Sequence, residues 1–187
     1  RTVYAAGGEA LVLQIEGGRH VRSYGDESPP IVAAAWSAAR RAVLIADRDG
    51  GVSRYDLASG RRTDLIGHAG SVSVVACAGE QVATGAYDGS ARLWRDDGSL
   101  LASFSPGDGP VQALAFDAVR GALWVGTWGG RVIVYDQRSG AATTVCRLTE
   151  SIRTLGLAAD GRHLVAGDNG GRFQVIDLEG GTQPVLS

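Results

Sequence analysis

An all-β fold assembled from repeated four-stranded units is what the sequence predicts, and three observations predict it. One segment, a tight glycine turn followed by a short strand, recurs four times: Asp49 to Asp56, Asp88 to Arg95, Gly129 to Asp136 and Gly170 to Asp177. Aligning Gly50, Gly89, Gly130 and Gly171 gives steps of 39, 41 and 41 residues. Each repeat divides into short apolar runs bounded by turn residues, and no helical periodicity longer than a turn or two is present. A strand-rich repeat of this length means propeller blades.

The best copy sets out the elements in order. Four strand-like runs cover 71–78, 81–87, 90–95 and 99–105, separated by Gly79-Glu80, Asp88-Gly89 and Asp96-Asp97-Gly98. Glycine in these turns supplies the positive φ that tight hairpins need. The inner two strands of each repeat are nearly continuous apolar runs, such as Val43 to Ala46 and Leu123 to Gly126, and are expected to be covered on both faces. The outer strands, such as 61–66 and 141–148, carry more Thr and Arg and are expected at a solvated perimeter.

A degenerate fifth copy opens the chain, where residues 8–18 match 171–181 at a constant offset of 163. The expected organisation is therefore a partial blade over 1–29 and full blades over 30–67, 68–108, 109–149 and 150–187, about 4.75 blades in all. An open arc exposes the apolar flanks of its terminal blades. The arc is expected to belong to a larger ring, or to be completed by another part of the chain or another subunit.

Bulk composition narrows the function classes. The 187 residues are 44% hydrophobic and 20% charged, with a net charge of −2. Interspersed charges of both signs offer no electrostatic footprint for nucleic acid or an anionic membrane, so neither is an expected partner. No apolar run approaches the roughly 18 residues that span a bilayer. The chain starts at Arg1 with no visible signal peptide, although an upstream segment is not excluded, and the expected compartment is cytoplasmic. Cys77 and Cys146 fall in apolar strand patterns and read as buried thiols, with a disulfide as the reading if the protein is exported.

Within this frame, residues 67–94 resemble a WD40 repeat. That family places a Gly-His pair before the innermost strand, a Ser or Thr in the second strand, an Asp in the tight turn and Trp-Asp closing the third. The matching positions are His68, Thr84, Asp88 and Trp94, with Arg95 where the family usually has Asp. The resemblance implies a buried hydrogen-bond network that locks the blade. The other repeats depart from it: the first keeps Asp49 and Tyr55-Asp56 without the Gly-His pair, and the third and fourth carry Gly129 and Gly170 in the turn.

A second resemblance stands beside the first. Asp56 to Gly60 and Asp136 to Gly140 resemble the Asp-x-x-Ser/Thr-Gly turns of pyrroloquinoline-quinone propellers, a family that includes redox enzymes and non-catalytic scaffolds. A quinoprotein-like propeller is thus the alternative reading, although the stacked tryptophan and calcium-binding carboxylates it needs are not found.

Catalytic signatures are otherwise lacking. His20, His68 and His163 have no metal-ligand spacing, and no phosphate-binding, dinucleotide or nucleophile-elbow motif occurs. Asp47-Arg48-Asp49-Gly50 superficially matches the start of a calcium loop but lacks its third acidic position and distal glutamate. No cofactor, metal site or enzymatic activity is expected.

One constellation carries a binding hypothesis. Arg48, Tyr87, Trp128 and Asn169 each precede the turn Asp or Gly, so the fold would project them from equivalent positions on one face. Arg, Tyr and Trp are enriched at binding hot spots. Two roles are open for Tyr87 and Trp128: contact with a protein partner, or cover for the ends of neighbouring blades. WD40 propellers often serve as recruitment scaffolds, so the resemblance implies a non-catalytic protein-interaction or sensor module in a larger protein or complex. A domain that senses a peptide or small ligand across the central channel is a further reading.

Overall fold

The structure is a computed structural model that describes the backbone over 2–7, 11–16, 19–24, 29–65, 67–95 and 97–186, and side chains over 29–65, 67–95 and 97–180. Residues 8–10 and 17–18 of the degenerate opening copy, and Asp96 of the predicted Asp96-Asp97 turn, lie outside the described residues.

The described residues form five antiparallel sheets in sequence order. The opening sheet has three strands, β1 (Thr2–Gly7), β2 (Leu11–Glu16) and β3 (Arg19–Tyr24). The second is β4 (Ile31–Ser37), β5 (Ala42–Asp47), β6 (Val52–Asp56) and β7 (Arg62–Leu65). The third is β8 (Val72–Ala78), β9 (Gln81–Ala86), β10 (Ala91–Arg95) and β11 (Leu100–Phe104). The fourth comprises β12 (Val111–Asp117), β13 (Ala122–Thr127), β14 (Arg131–Asp136) and β15 (Ala142–Arg147). The fifth runs β16 (Ile152–Leu157), β17 (His163–Asp168), β18 (Phe173–Asp177) and β19 (Gly181–Leu186). Every sheet is a meander of hairpins, and the whole is an open series of propeller blades.

The cores lie between sheets, as radial packing requires. Leu44, Val52 and Leu65 of the second sheet meet Val72, Val82 and Trp94 of the third. Ala83 and Leu93 of the third meet Val111, Leu114 and Leu123 of the fourth. Trp124, Val132 and Leu148 of the fourth then meet Ile152, Leu164 and Ile176 of the fifth. A buried aliphatic side chain of this size contributes roughly 1.5–3 kcal/mol, so the contact between blades is the main apolar stabilisation.

Sequence and structure differ over the inner strands. Second strands β5, β9 and β13 are buried nearly throughout, as their apolar runs predict. Among the innermost strands β12 is largely buried, whereas β4 alternates half-buried and exposed residues and β16 is buried at Ile152 alone. The reason is position, since residues of β4, β8, β12 and β16 line one open cleft at the centre of the arc.

The fifth sheet ends the described series with one face uncovered. Val52, Ala91 and Val132 occupy the same place two residues after the turn glycine and are 2%, 0% and 0% exposed. Their equivalent Phe173 is 40% exposed. Val165 is likewise exposed where Leu44, Ala83 and Trp124 are buried.

Candidate functional site

Each innermost strand carries the same irregularity. The register to its neighbour slips between Ile31 and Ala33, between Val72 and Val74, between Val111 and Ala113, and between Ile152 and Thr154. A bulge re-aims the side chain it leaves unpaired. Here that places Val32, Ser73, Gln112 and Arg153 together around one cleft of about 520 Å³.

The residues predicted to share a face do so through a repeated backbone contact. Arg48 N–H donates to the Pro30 carbonyl at 3.1 Å and Tyr87 N–H to Ser71 at 2.9 Å. Trp128 N–H donates to Pro110 at 2.8 Å and Asn169 N–H to Ser151 at 2.9 Å. All four side chains are exposed, Tyr87 and Trp128 each to 52%. They divide into pairs: Arg48 and Tyr87 line the cleft of about 520 Å³, whereas Trp128 and Asn169 line a neighbouring one of about 400 Å³. Arg153 lines both.

Beside this surface, the third sheet assembles a chain of polar groups. Trp94 Nε1–H donates to Thr84 Oγ1 at 2.9 Å, and Thr84 Oγ1 lies 2.7 Å from His68 Nε2. His68 Nδ1 lies 3.1 Å from Asp88 Oδ2. Asp88 also accepts from Ala69 N–H at 2.9 Å, Ser90 N–H at 2.9 Å and the Ser90 hydroxyl at 2.7 Å. A carboxylate only accepts, which assigns the imidazole proton to Nδ1 and leaves Nε2 to accept the Thr84 hydroxyl proton. The assigned histidine is neutral, in keeping with burial lowering its pKa against the opposing pull of Asp88. Burial alone would raise the Asp88 carboxyl, but hydrogen bonds from Ser90, Ala69 and His68 outweigh it and hold the group at about 2.

Comparison with known proteins adds relatives of one kind. F-box/WD repeat-containing protein 9 from Bos taurus is 31% identical over 110 residues, covering 59% of this chain and 24% of that protein. Ribosome biogenesis protein YTM1 from Coprinopsis cinerea (strain Okayama-7 / 130 / ATCC MYA-4618 / FGSC 9003) is 30% identical over 125 residues, covering 62% of this chain and 28% of that protein. The chain is similar to WD-repeat proteins, and its repeated four-stranded antiparallel sheets are consistent with a WD40 propeller. It matches about a quarter of the length of these relatives. No family model matches it.

The remaining blades close their turns by other means, which sequence reasoning missed. In the fourth sheet Asp108, from the loop before β12, accepts from the Thr127 hydroxyl at 3.1 Å and pairs with Arg131 at 3.0 Å and Arg147 at 3.2 Å. Gly129 leaves room for it, since a Cβ there would strike the Asp108 carboxylate. In the second sheet Asp47, rather than Asp49, holds the turn, accepting from Asp49 N–H at 2.9 Å and Gly51 N–H at 2.7 Å. Asp168 does the same in the fifth, accepting from Gly170 and Arg172 N–H at 2.9 Å each.

The Asp-x-x-Ser-Gly segments are hairpin devices at the opposite end of the sheets. Asp56 accepts from Ser59 N–H at 2.7 Å and the Ser59 hydroxyl at 2.6 Å. Asp136 accepts from Arg138 N–H at 2.8 Å and Ser139 N–H at 2.9 Å. Among the described residues, no three His, Cys, Asp or Glu side chains group closely enough to hold a metal ion. His163 pairs with Asp160 at 2.7 Å on the surface, and the side chain of His20 lies outside the described residues. Cys77 and Cys146 are unpaired and half-buried, and burial pushes their thiols up to about 12 and about 11.

Proposed function

We propose that this chain is a non-catalytic scaffold that binds protein partners at the end of the blades bearing Arg48, Tyr87, Trp128 and Asn169, in a cytoplasmic setting. The observation that carries the reading is the repeated geometry. Four blades offer an exposed side chain from the same backbone position, and two of the four are half-exposed aromatic rings. A large aromatic ring left in water while Leu, Val and Ile fill the blade cores supports contact with something outside the chain. The named WD-repeat relatives support the same general role; their F-box and ribosome biogenesis contexts belong to those proteins.

Alanine at both Tyr87 and Trp128 is expected to shift the thermal midpoint by less than about 2 °C, since neither ring lies in a blade core. Binding to a protein partner is expected to fall at least about tenfold. Circular dichroism melts and titration calorimetry check the two halves, and loss of the folded state would assign the rings to the core instead.

We further infer that another blade-like sheet covers the exposed face of the fifth sheet, from elsewhere in the polypeptide or from another subunit. Phe173 and Val165 support this, because the equivalent positions in the preceding blades are buried. By itself the wild-type chain is expected to self-associate at tens of micromolar, and Phe173→Glu to stay monomeric. Light scattering distinguishes them, and a compact wild-type monomer contradicts the inference.

A further inference from the structure

We propose that the cleft shared by Arg48 and Arg153 receives an oxyanion, the carboxylate or phosphate of a side chain in an acidic segment of a protein partner. This rests on the docking reading above and adds the chemistry of what docks.

The cleft is built for a negative group. Arg48, Arg153, Tyr87, Gln112, Ser71 and Ser73 supply its polar lining, and no carboxylate among the described residues lines it. Acids are not scarce in the chain, which has 20 Asp and Glu against 18 basic residues, all of them arginine. Arg62, Arg120, Arg131, Arg147 and Arg162 each have a carboxylate within ion-pair distance. Among the described residues, Arg48 and Arg153 have none; Arg41, Arg61, Arg92, Arg138 and Arg172 also have none, but Arg48 and Arg153 line one cleft together. Two guanidinium groups sharing a cleft without a counter-ion repel one another, and an arriving oxyanion relieves that repulsion.

Arg153 is also held in place before any ligand arrives. Gln112 is 8% exposed, and its Oε1 accepts from Arg153 Nη1–H at 2.5 Å and from the Ser151 hydroxyl at 3.1 Å. Its Nε2 donates to the Tyr87 hydroxyl at 3.4 Å, which leaves the Tyr87 proton available to a ligand. The amide engages one of five guanidinium N–H donors, and the remainder keep the forked geometry that suits carboxylate and phosphate. The repeated bulge places Gln112 and Arg153 around the cleft, and Arg48 and Tyr87 come from the turns above it. A buried amide that orients an arginine lowers the ordering cost of binding.

The test is selection of a phage-displayed random dodecapeptide library on the full chain, followed by fluorescence anisotropy with the enriched peptides. The expected result is enrichment of Asp- and Glu-rich peptides whose affinity falls with added salt. Arg153→Met and Arg48→Met should each weaken binding about tenfold, and Arg138→Met, at the opposite end of the sheets, should not. Inorganic phosphate is expected to compete weakly. Enriched peptides that lack acidic residues, lose binding on Tyr87→Ala and ignore Arg153→Met would overturn this proposal and leave the docking reading standing. Peptides indifferent to all four predicted surface residues would overturn both. Saturation by inorganic phosphate with no acidic peptide selected would overturn the assignment to a protein segment. Arg48 makes no ion pair within the described chain, so its variant keeps the result interpretable if Arg153→Met folds poorly.

Discussion

Asp88→Ala is expected to be among the most destabilising single substitutions in the chain, at about 3 kcal/mol. The side chain accepts from His68 Nδ1–H, Ala69 N–H and both donors of Ser90, and its removal leaves all of them without this acceptor. His68 has a side chain only 1% exposed, so water does not replace what it loses. In a domain of this size that corresponds to a fall of roughly 6–12 °C in Tm. Thr84→Val keeps the shape and removes the hydroxyl linking Trp94 to His68, with an expected cost of about 2 kcal/mol. Urea unfolding curves measure both.

The same network sets a pH dependence. The pKa of His68 is lowered in the folded state, so the unfolded chain takes up a proton first as pH falls below the ordinary histidine value near 6.5. Stability therefore begins to decline there. Asp88 is held at about 2, below the ordinary aspartate value of 3.8. Its contribution is full above that value and is lost as pH falls from 3.8 towards 2. Both steps lower stability with acid, and Asp88→Ala should flatten the second. A urea midpoint series from pH 7 down to about pH 2 on the wild type and Asp88→Ala checks the sign.

The second large effect concerns a turn glycine. Gly130 has φ +87°, and a Cβ there would lie 2.9 Å from the Glu150 carbonyl oxygen and closer still to that of Leu148. Both obstacles are backbone, which cannot swing aside as a side chain can. Gly130→Ala is expected to cost about 4 kcal/mol, combining left-handed strain with the clash. Gly171 has φ +83° with nothing within 4 Å of the added atom, so Gly171→Ala should carry the strain alone, about 1–2 kcal/mol. If another blade covers the fifth sheet in the complete assembly, Gly171→Ala becomes as costly there as Gly130→Ala. Denaturation of the two variants in the chain and in the assembly separates these outcomes.

Blade number and strand order were legible because Gly50, Gly89, Gly130 and Gly171 punctuate runs of similar length, and a turn requiring positive φ admits few other residues. The contacts of His68, Thr84, Asp88 and Trp94 were legible because spacing and residue type together matched one family pattern. The bulged residues were not: Val32, Ser73, Gln112 and Arg153 share no side-chain chemistry, and a bulge needs only an extra residue in one strand. Asp108 escaped notice because its partners Thr127, Arg131 and Arg147 come from three separate segments. The uncovered fifth face was equally hidden, since Val165 and Phe173 are as apolar as the buried residues they parallel. Exposure there is a property of what lies beside the blade.

The end bearing Arg48, Tyr87, Trp128 and Asn169 is proposed to bind a protein partner rather than to serve as structural cover. Titration of the Tyr87→Ala/Trp128→Ala double variant with a selected peptide, alongside its thermal melt, tests it most directly. A partner-binding role gives a Tm within about 2 °C of wild type and binding weakened at least about tenfold. A Tm lowered by more than about 5 °C, with the folded fraction still binding at wild-type affinity, would contradict it.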